Sequence, residues 1–389
     1  MAFGLYIHIP YCQAKCPYCD FNSYAAERWP EADYVEALVC ELDHYAQQAP
    51  WADAAITTVF FGGGTPSLFA PASIEKVLTA VFAHWRVDDS APLEVTLEAN
   101  PGTVTLEKLR ALRATGVNRL SVGVQSFHAH HLCRLGRIHD ATQAVAAVEQ
   151  ARQAGFANVG IDLIFALPEQ TAAEWESDLT QACRLCPEHI SAYNLTYEEG
   201  TPFASLRQRG VLRPLPEETE VAMFTGTQEI LSAAGYVQYE ISNYARSGYR
   251  CRHNLTYWRG GDYLGVGAGA HSYARPTTVD ANAVCGRRWS NARAPYIYLQ
   301  SVAQRRHARA HVEDLDARRA RGEFVFLSLR CLDGFDAAEF RQRFGNDFPA
   351  LFPHAADLCD GGLLECSGGR WQLTPRGVLL ADSVFSSFL

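Results

Sequence analysis

No run of 18 or more apolar residues occurs anywhere in this chain of 389 residues, which excludes a hydrophobic transmembrane helix. Positive charge is also scarce. The chain has 34 Lys and Arg against 43 Asp and Glu, a net charge of −9, which argues against a nucleic-acid partner held on a broad basic face. The first ten residues lack the basic flank and apolar stretch of an export signal. Twelve cysteines over this length are too dilute for a disulfide scaffold, so a reducing, cytoplasmic setting is expected. Internal repeats and low-complexity linkers are absent as well. What is present is a composition 48% hydrophobic, enough to bury one large α/β domain and a smaller one.

Three cysteines stand close together in Tyr11-Cys-Gln-Ala-Lys-Cys-Pro-Tyr-Cys-Asp20, with the spacing C-x3-C-x2-C. Thiolates are soft ligands that select zinc, copper(I) or iron–sulfur clusters. A closed zinc site or a closed cluster takes four ligands, and the next cysteine is Cys40. Cys12, Cys16 and Cys19 therefore suggest a cubane cluster with one open iron, able to bind a small chelating molecule. A zinc knuckle or three unrelated buried thiols are the alternatives.

Short apolar runs alternate with helical stretches. Strands are expected near Gly4–Pro10, Ile56–Phe61, Leu93–Glu98, Asn118–Val124, Asn158–Ile164 and His189–Leu195. Helices are expected near Glu31–Gln48, from Ala72, and over Leu106–Thr115, Ala141–Ala154 and Ala172–Leu185. This alternation predicts a parallel sheet with right-handed crossovers. The polar exceptions gather at the carboxyl ends of the strands: the cysteine loop, Gly62-Gly-Gly-Thr-Pro-Ser67, Glu98, Gln125, Asp162, Tyr193 and Thr196. In a parallel barrel those ends share one rim, where sites form. The glycine segment is neither a Walker loop nor G-x-G-x-x-G. It reads as a close backbone approach to a ligand or as a tight turn with positive φ. Glu98 or Asp162 taken singly reads equally as a helix cap or an ion-pair partner.

The cysteine spacing resembles the signature of the radical S-adenosylmethionine (SAM) superfamily. That resemblance implies a partial (β/α)6 barrel, a [4Fe-4S] cluster on three cysteines, and SAM chelating the fourth iron. Tyr6-Ile-His-Ile-Pro-Tyr-Cys12, Phe61-Gly-Gly-Gly-Thr-Pro-Ser67, Glu98-Ala-Asn-Pro101, Ser121-Val-Gly-Val-Gln-Ser-Phe127, Leu135-Gly-Arg137 and Gly160-Ile-Asp-Leu-Ile164 are similar to the oxygen-independent coproporphyrinogen III oxidase family. By that resemblance Cys12, Cys16 and Cys19 hold the cluster. Tyr6, Gly63, Gly64, Thr65, Glu98, Gln125, Arg137 and Asp162 then surround SAM. Glu98 and Asp162 would accept from ribose hydroxyls or the amino group, and Arg137 would meet the carboxylate.

Two departures weigh against the oxidase activity. Its motif continues to a further cysteine where this chain has Phe21, and only eleven residues precede Cys12. A third feature, Cys251-Arg-His-Asn-Leu-Thr-Tyr-Trp258 followed by Tyr263-Leu-Gly-Val-Gly-Ala-Gly-Ala-His271, resembles the heme chaperone branch of the same family. It implies heme as cargo and an acceptor hemoprotein, such as a membrane-bound respiratory protein, as partner. His253 would ligate heme iron beside Asn254, with Tyr257 and Trp258 packing on the porphyrin and Cys251 as another iron ligand. A histidine hydrogen-bonded within a loop is the plainer reading of His253. The competing activity is cleavage of SAM to a 5′-deoxyadenosyl radical that oxidises a porphyrinogen propionate side chain.

Three regions are expected. Residues 1–200 form the partial barrel with the cluster and SAM sites. Residues 201–310 extend it and carry H-N-x-x-Y-W. Residues 311–389 form a mostly helical, winged-helix-like C-terminal domain. Within these, Asp280–Ala294 reads as irregular and exposed, and Asp314–Leu329 as a long helix. Asp336 reads as a cap, residues 361–373 as a hairpin, and Thr374 as the start of a final helix. Cys183-Arg-Leu-Cys186 has redox spacing but ends a helix, so it reads as incidental.

Overall fold

The computed structural model describes residues 1–275 and 284–389. Six parallel strands arise where the sequence places them: β1 (Ala2–Ile9), β2 (Ala55–Gly63), β3 (Glu94–Ala99), β4 (Arg119–Gln125), β5 (Val159–Phe165) and β6 (His189–Asn194). Their apolar residues are buried almost continuously, as expected of strands covered on both faces. The crossovers are helical: α1 (Glu31–Ala46), α2 (Pro71–His84), α3 (Leu106–Ala114), α4 (Ala129–Arg134), α5 (Ala141–Gln153) and α6 (Ala172–Arg184). Local chemistry sets their starts. Thr105 caps α3, Asp140 forms a capping box with Gln143 on α5, and Thr171 does the same with Glu174 on α6.

The sheet is wider than six strands. Beyond β6 it continues antiparallel through β8 (Asn243–Ala245) to β7 (Val237–Glu240). On the other side, β9 (Tyr263–Val266) pairs with β1 in parallel, in the register Gly4↔Tyr263 to Ile7↔Val266. The strand carrying the cysteine loop is therefore internal, not an edge. From β9 an antiparallel run continues through β10 (His271–Ala274) and β11 (Gly286–Asn291) to β12 (Arg309–Leu315). The seventh parallel strand escapes a sequence reading because it is four residues long and no long crossover helix marks it.

Two expectations are corrected here. Residues 286–291 are strand β11, not an irregular loop, because they pair with both β10 and β12; residues 280–283 of that stretch lie outside the described residues. The long helix begins at Ala317 rather than Asp314, since Asp314 pairs with Arg287 across β11 and β12 and Asp316 supplies the N-cap. The remaining C-terminal readings hold. Asp336 and Thr374 cap helices, and Leu364–Ser367 pairs with Arg370–Leu373. A second apolar cluster of Phe324, Phe335, Phe340, Phe348, Trp371 and Phe388 forms the core of this region. Among the described residues no helix is long and apolar enough to cross a membrane.

One buried acid ties α1 to the added strands. Glu41 is 0% exposed, and its carboxylate accepts from Gly267 N (2.9 Å), Tyr298 Oη (2.8 Å) and Asn291 Nδ2 (2.8 Å). Burial nevertheless outweighs those donors and pushes its pKa up from 4.5 to about 7. The fold thus prefers the protonated acid. Its contribution is full below about pH 4.5 and is lost as the pH rises through about 7. The midpoint of urea unfolding is expected to fall across that window in the wild type and to fall less in Glu41→Gln. Equal slopes would remove Glu41 as the cause. Glu41→Ala, which strands three donors, is expected to cost about 3 kcal/mol.

Candidate cofactor-binding site

The carboxyl ends of β1 and β2 meet. Gly64 N donates to Ile9 O (2.8 Å) and Thr65 N to Tyr11 O (2.9 Å), which draws the glycine segment against the start of the cysteine loop. A Cβ on Gly64 would lie 2.6 Å from Tyr11 O, and Gly63 sits at φ +115° with the His8 ring 2.5 Å from where its Cβ would be. The glycines are therefore required for close approach to the neighbouring chain, whatever ligand they also meet. Thr65 Oγ1 then reaches Cys12 Sγ at 3.4 Å.

The loop from Cys12 to Ala25 closes on itself by parallel pairing of Tyr11–Cys12 with Tyr24–Ala25. Lys15 Nζ braces it through Phe21 O (3.1 Å) and Ser23 O (3.0 Å). Asn22 Nδ2 anchors it to Ala268 O and Arg293 O. All three thiols are free and line one cavity of about 1210 Å³. Among the described residues, the one trio of metal-ligating atoms within 4.8 Å of one another is elsewhere, at His130, His131 and Glu174. At least one pair of the three sulfurs thus lies farther apart than 4.8 Å, wider than the roughly 3.8 Å edge of a tetrahedral single-zinc site. That spread suits a multi-iron cluster better than one ion.

Of the residues expected at the cluster, SAM and heme sites, all but Cys251 line this cavity: Tyr6, Gly63, Gly64, Thr65, Glu98, Gln125, Arg137, Asp162, His253, Asn254, Tyr257 and Trp258 join Cys12, Cys16 and Cys19. Glu98 Oε2 accepts from Gly63 N (3.2 Å), and Asp162 accepts from Ser191 Oγ (2.6 Å) and Ser121 Oγ (3.0 Å). Burial, then the nearby Asp162 charge, raises Glu98 to about 7; burial likewise raises Asp162. Two acids held this way, by an amide and hydroxyls rather than by basic groups, favour a cationic or hydroxyl-rich guest. Arg137 Nη2 donates to Gly123 O (2.8 Å) and Nη1 lies 3.6 Å from Cys16 Sγ, while its buried Nε has no partner. An unfilled guanidinium donor beside the thiols suits a carboxylate.

The H-N-x-x-Y-W helix, Arg252–Trp258, enters from below. Glu94 caps it from β3, accepting from Arg252 N (3.1 Å) and His253 N (3.0 Å). The His253 ring stacks on Phe60 at 5.0 Å, and Tyr6 is 6.3 Å away on the same wall. Both its nitrogens are engaged, Nδ1 at 2.8 Å from Thr58 Oγ1 and Nε2 at 2.7 Å from Tyr257 Oη. Burial lowers its pKa to about 3. In this geometry His253 builds the wall and offers no free nitrogen to iron. Cys251 is also ruled out as an exposed ligand, being fully buried with Sγ facing Glu94 Oε1 at 3.8 Å. Trp258, by contrast, has a buried Nε1 with no partner, and Arg330 lies over its ring at 4.6 Å.

The sequence reading passed over two cavity residues. Arg119 is 2% exposed with an unpartnered Nε; burial works against its charge, and the groups around it, Glu94 and Asp162 among them, outweigh that and hold it charged. His271, at the start of β10, is exposed on the cavity wall, and among the described residues no hydrogen bond engages its ring. His271 closes the glycine-rich stretch after β9, which was its visible signal.

The Radical SAM superfamily profile matches residues 6–182, and the HemN C-terminal domain profile matches residues 315–380. The chain is 39% identical to the heme chaperone HemW of Escherichia coli, over 99% of this chain and 98% of that one. The chain belongs to the HemW family. It is also 35% identical to the heme chaperone HemW of Bacillus subtilis, over 99% of this chain and 98% of its relative. Among solved structures, coproporphyrinogen III oxidase (HemN) from Escherichia coli, a radical SAM enzyme, superposes with a TM-score of 0.82 at 25% identity. That match covers 99% of this chain and 89% of the other. Membership of the superfamily implies a [4Fe-4S] cluster and SAM, and the spread thiols, paired acids and unfilled Arg137 donor fit both.

The Gly64 contact gives a direct test. Gly64→Ala is expected to push Thr65 and Cys12 apart, so that anaerobically reconstituted protein retains several-fold less iron and sulfide than the wild type. Gly116→Ala, a positive-φ site with open space around it, is the control for general strain.

Proposed function

We propose that this protein is a heme chaperone that holds a [4Fe-4S] cluster and SAM at the barrel rim and passes heme to an acceptor hemoprotein. In this reading Cys12, Cys16 and Cys19 hold the cluster. Tyr6, Gly63, Gly64, Thr65, Glu98, Gln125, Arg137 and Asp162 surround SAM. When bound, such a cluster supplies single electrons to a sulfonium nucleotide. The chain's own residues do the rest: Glu98 and Asp162 face the cation, Arg137 orients a carboxylate, and Lys15 and Asn22 hold the loop in shape. Residues 1–200 carry this machinery, 201–310 extend the wall with the H-N-x-x-Y-W helix, and 311–389 complete the cavity through Phe324, Leu327 and Arg343.

The observation that carries the heme reading is the continuity of the cavity. A space of about 1210 Å³ exceeds the roughly 300–1,000 Å³ of an ordinary small-molecule site and has room for more than one guest. One end is the cysteine loop. The other is an aromatic wall of Tyr257, Trp258, Tyr263 and Tyr273 with an unfilled indole N–H. Flat rings and one free donor suit a porphyrin with polar edges. His271 supplies the iron ligand: its ring is exposed, whereas the rings of His8 and His253 are bound at both nitrogens and the unpartnered Nδ1 of His189 is buried.

Heme titration followed by the Soret band tests this. His271→Ala is expected to weaken binding by about tenfold and change the ligation spectrum, whereas Trp258→Ala weakens binding and keeps the spectrum. Wild-type affinity and spectrum in His271→Ala would remove it as ligand. The oxidase reading draws on the match to coproporphyrinogen III oxidase, yet Phe21 stands at the rim, 68% exposed, where that family has a cysteine. Anaerobic incubation with coproporphyrinogen III, SAM and a reductant is expected to give no protoporphyrinogen IX. Its formation would overturn the chaperone assignment.

A further inference from the structure

Away from the cavity, α4 and the first turn of α6 bring two imidazoles and a carboxylate together. His130 Nε2 lies 3.1 Å from Glu174 Oε1, and His131 Nε2 lies 3.5 Å from Glu174 Oε2. The three ligand atoms all fall within 4.8 Å of one another. A tetrahedral zinc with bonds of about 2.0–2.1 Å sets its ligand atoms roughly 3.3 Å apart, so these separations match the edges of such a site.

A second, independent feature points to a ligand. His131 is 0% exposed, and neither ring nitrogen has a hydrogen-bond partner. A buried imidazole normally satisfies at least one nitrogen. Glu174 is prepared from its other side. Its Oε2 accepts from Thr171 N (2.8 Å) and Oγ1 (2.9 Å), which orients the group and leaves Oε1 toward His130. Neighbouring charges are occupied elsewhere: Arg134 pairs with Glu169, and Asp178 accepts from Phe127 N (2.7 Å) and Ser126 Oγ (2.8 Å).

We propose that His130, His131 and Glu174 bind a divalent transition-metal ion of the zinc class, with water completing the coordination. The ion clamps α4 to the start of α6. Its consequence reaches the cofactor site through a short path. Helix α4 ends at Arg134, and Leu135-Gly136-Arg137 follow directly; Gly136 O is 3.9 Å from Cys16 Sγ and Arg137 reaches the same sulfur. The metal therefore positions the segment that presents Arg137.

The test uses the full-length, cluster-loaded chain under anaerobic conditions, equilibrated with zinc and analysed for zinc and iron. The wild type is expected to hold about one zinc per chain with its iron unchanged, and to unfold at a higher temperature with zinc than without. His130→Ala and Glu174→Gln are expected to lose that zinc and the zinc-dependent rise. His130 is exposed and Gln keeps the cap on α6, so both variants should match the wild type in unfolding temperature without zinc. Absence of zinc in the wild type, equal zinc in all three proteins, or zinc gained only at the expense of iron would overturn the proposal.

Discussion

Two backbone hydrogen bonds, from Gly64 N to Ile9 O and from Thr65 N to Tyr11 O, join the ends of β1 and β2 just where the cysteine loop departs. They require chains closer than any side chain on Gly64 allows. From that contact the rest follows in order. Thr65 reaches Cys12, the loop closes through Tyr24 and Ala25, and Gly63 presents its amide to Glu98 on β3. A parallel sheet makes this possible because all its carboxyl ends lie on one side.

The cavity above that rim is electrostatically divided. Near the thiols, Arg137 keeps one donor unfilled. Deeper in, Glu98 and Asp162 raise each other's cost of ionisation, so a cation placed between them gains more than it would in water. Arg119 below them is held charged by the acids around it. Such a lining is chemically complementary to a molecule that carries positive charge, a carboxylate and hydroxyls together. The H-N-x-x-Y-W helix belongs to the same wall, since His253 packs on Phe60 near Tyr6. The wall that carries Tyr6 is thus continuous with the aromatic lining of Tyr257 and Trp258 in one cavity.

Much of this was legible in the residues. Six parallel strands, the main helices between them and the helix starts at Asp336 and Thr374 follow from local patterns that the fold respects. The cysteine spacing, the glycine segment and the polar strand ends all converge on one cavity. What was hidden depended on contacts between distant segments. Strand β9 pairs with β1 across more than 250 residues, and β11 is a strand because β10 and β12 flank it. His253 stood out in sequence as a ligand, yet Thr58 and Tyr257 occupy its nitrogens; His271 was less conspicuous and is the exposed one.

The sequence by itself determined the alternation of strand and helix, the trio of thiols and the acids at the strand ends, because these rest on residue type and short spacing. Tertiary structure alone decided which imidazoles are spent and which are open, how far apart the thiols lie, and that His130 and His131 meet Glu174. Those outcomes depend on distances between segments far apart in the chain, which no local pattern encodes.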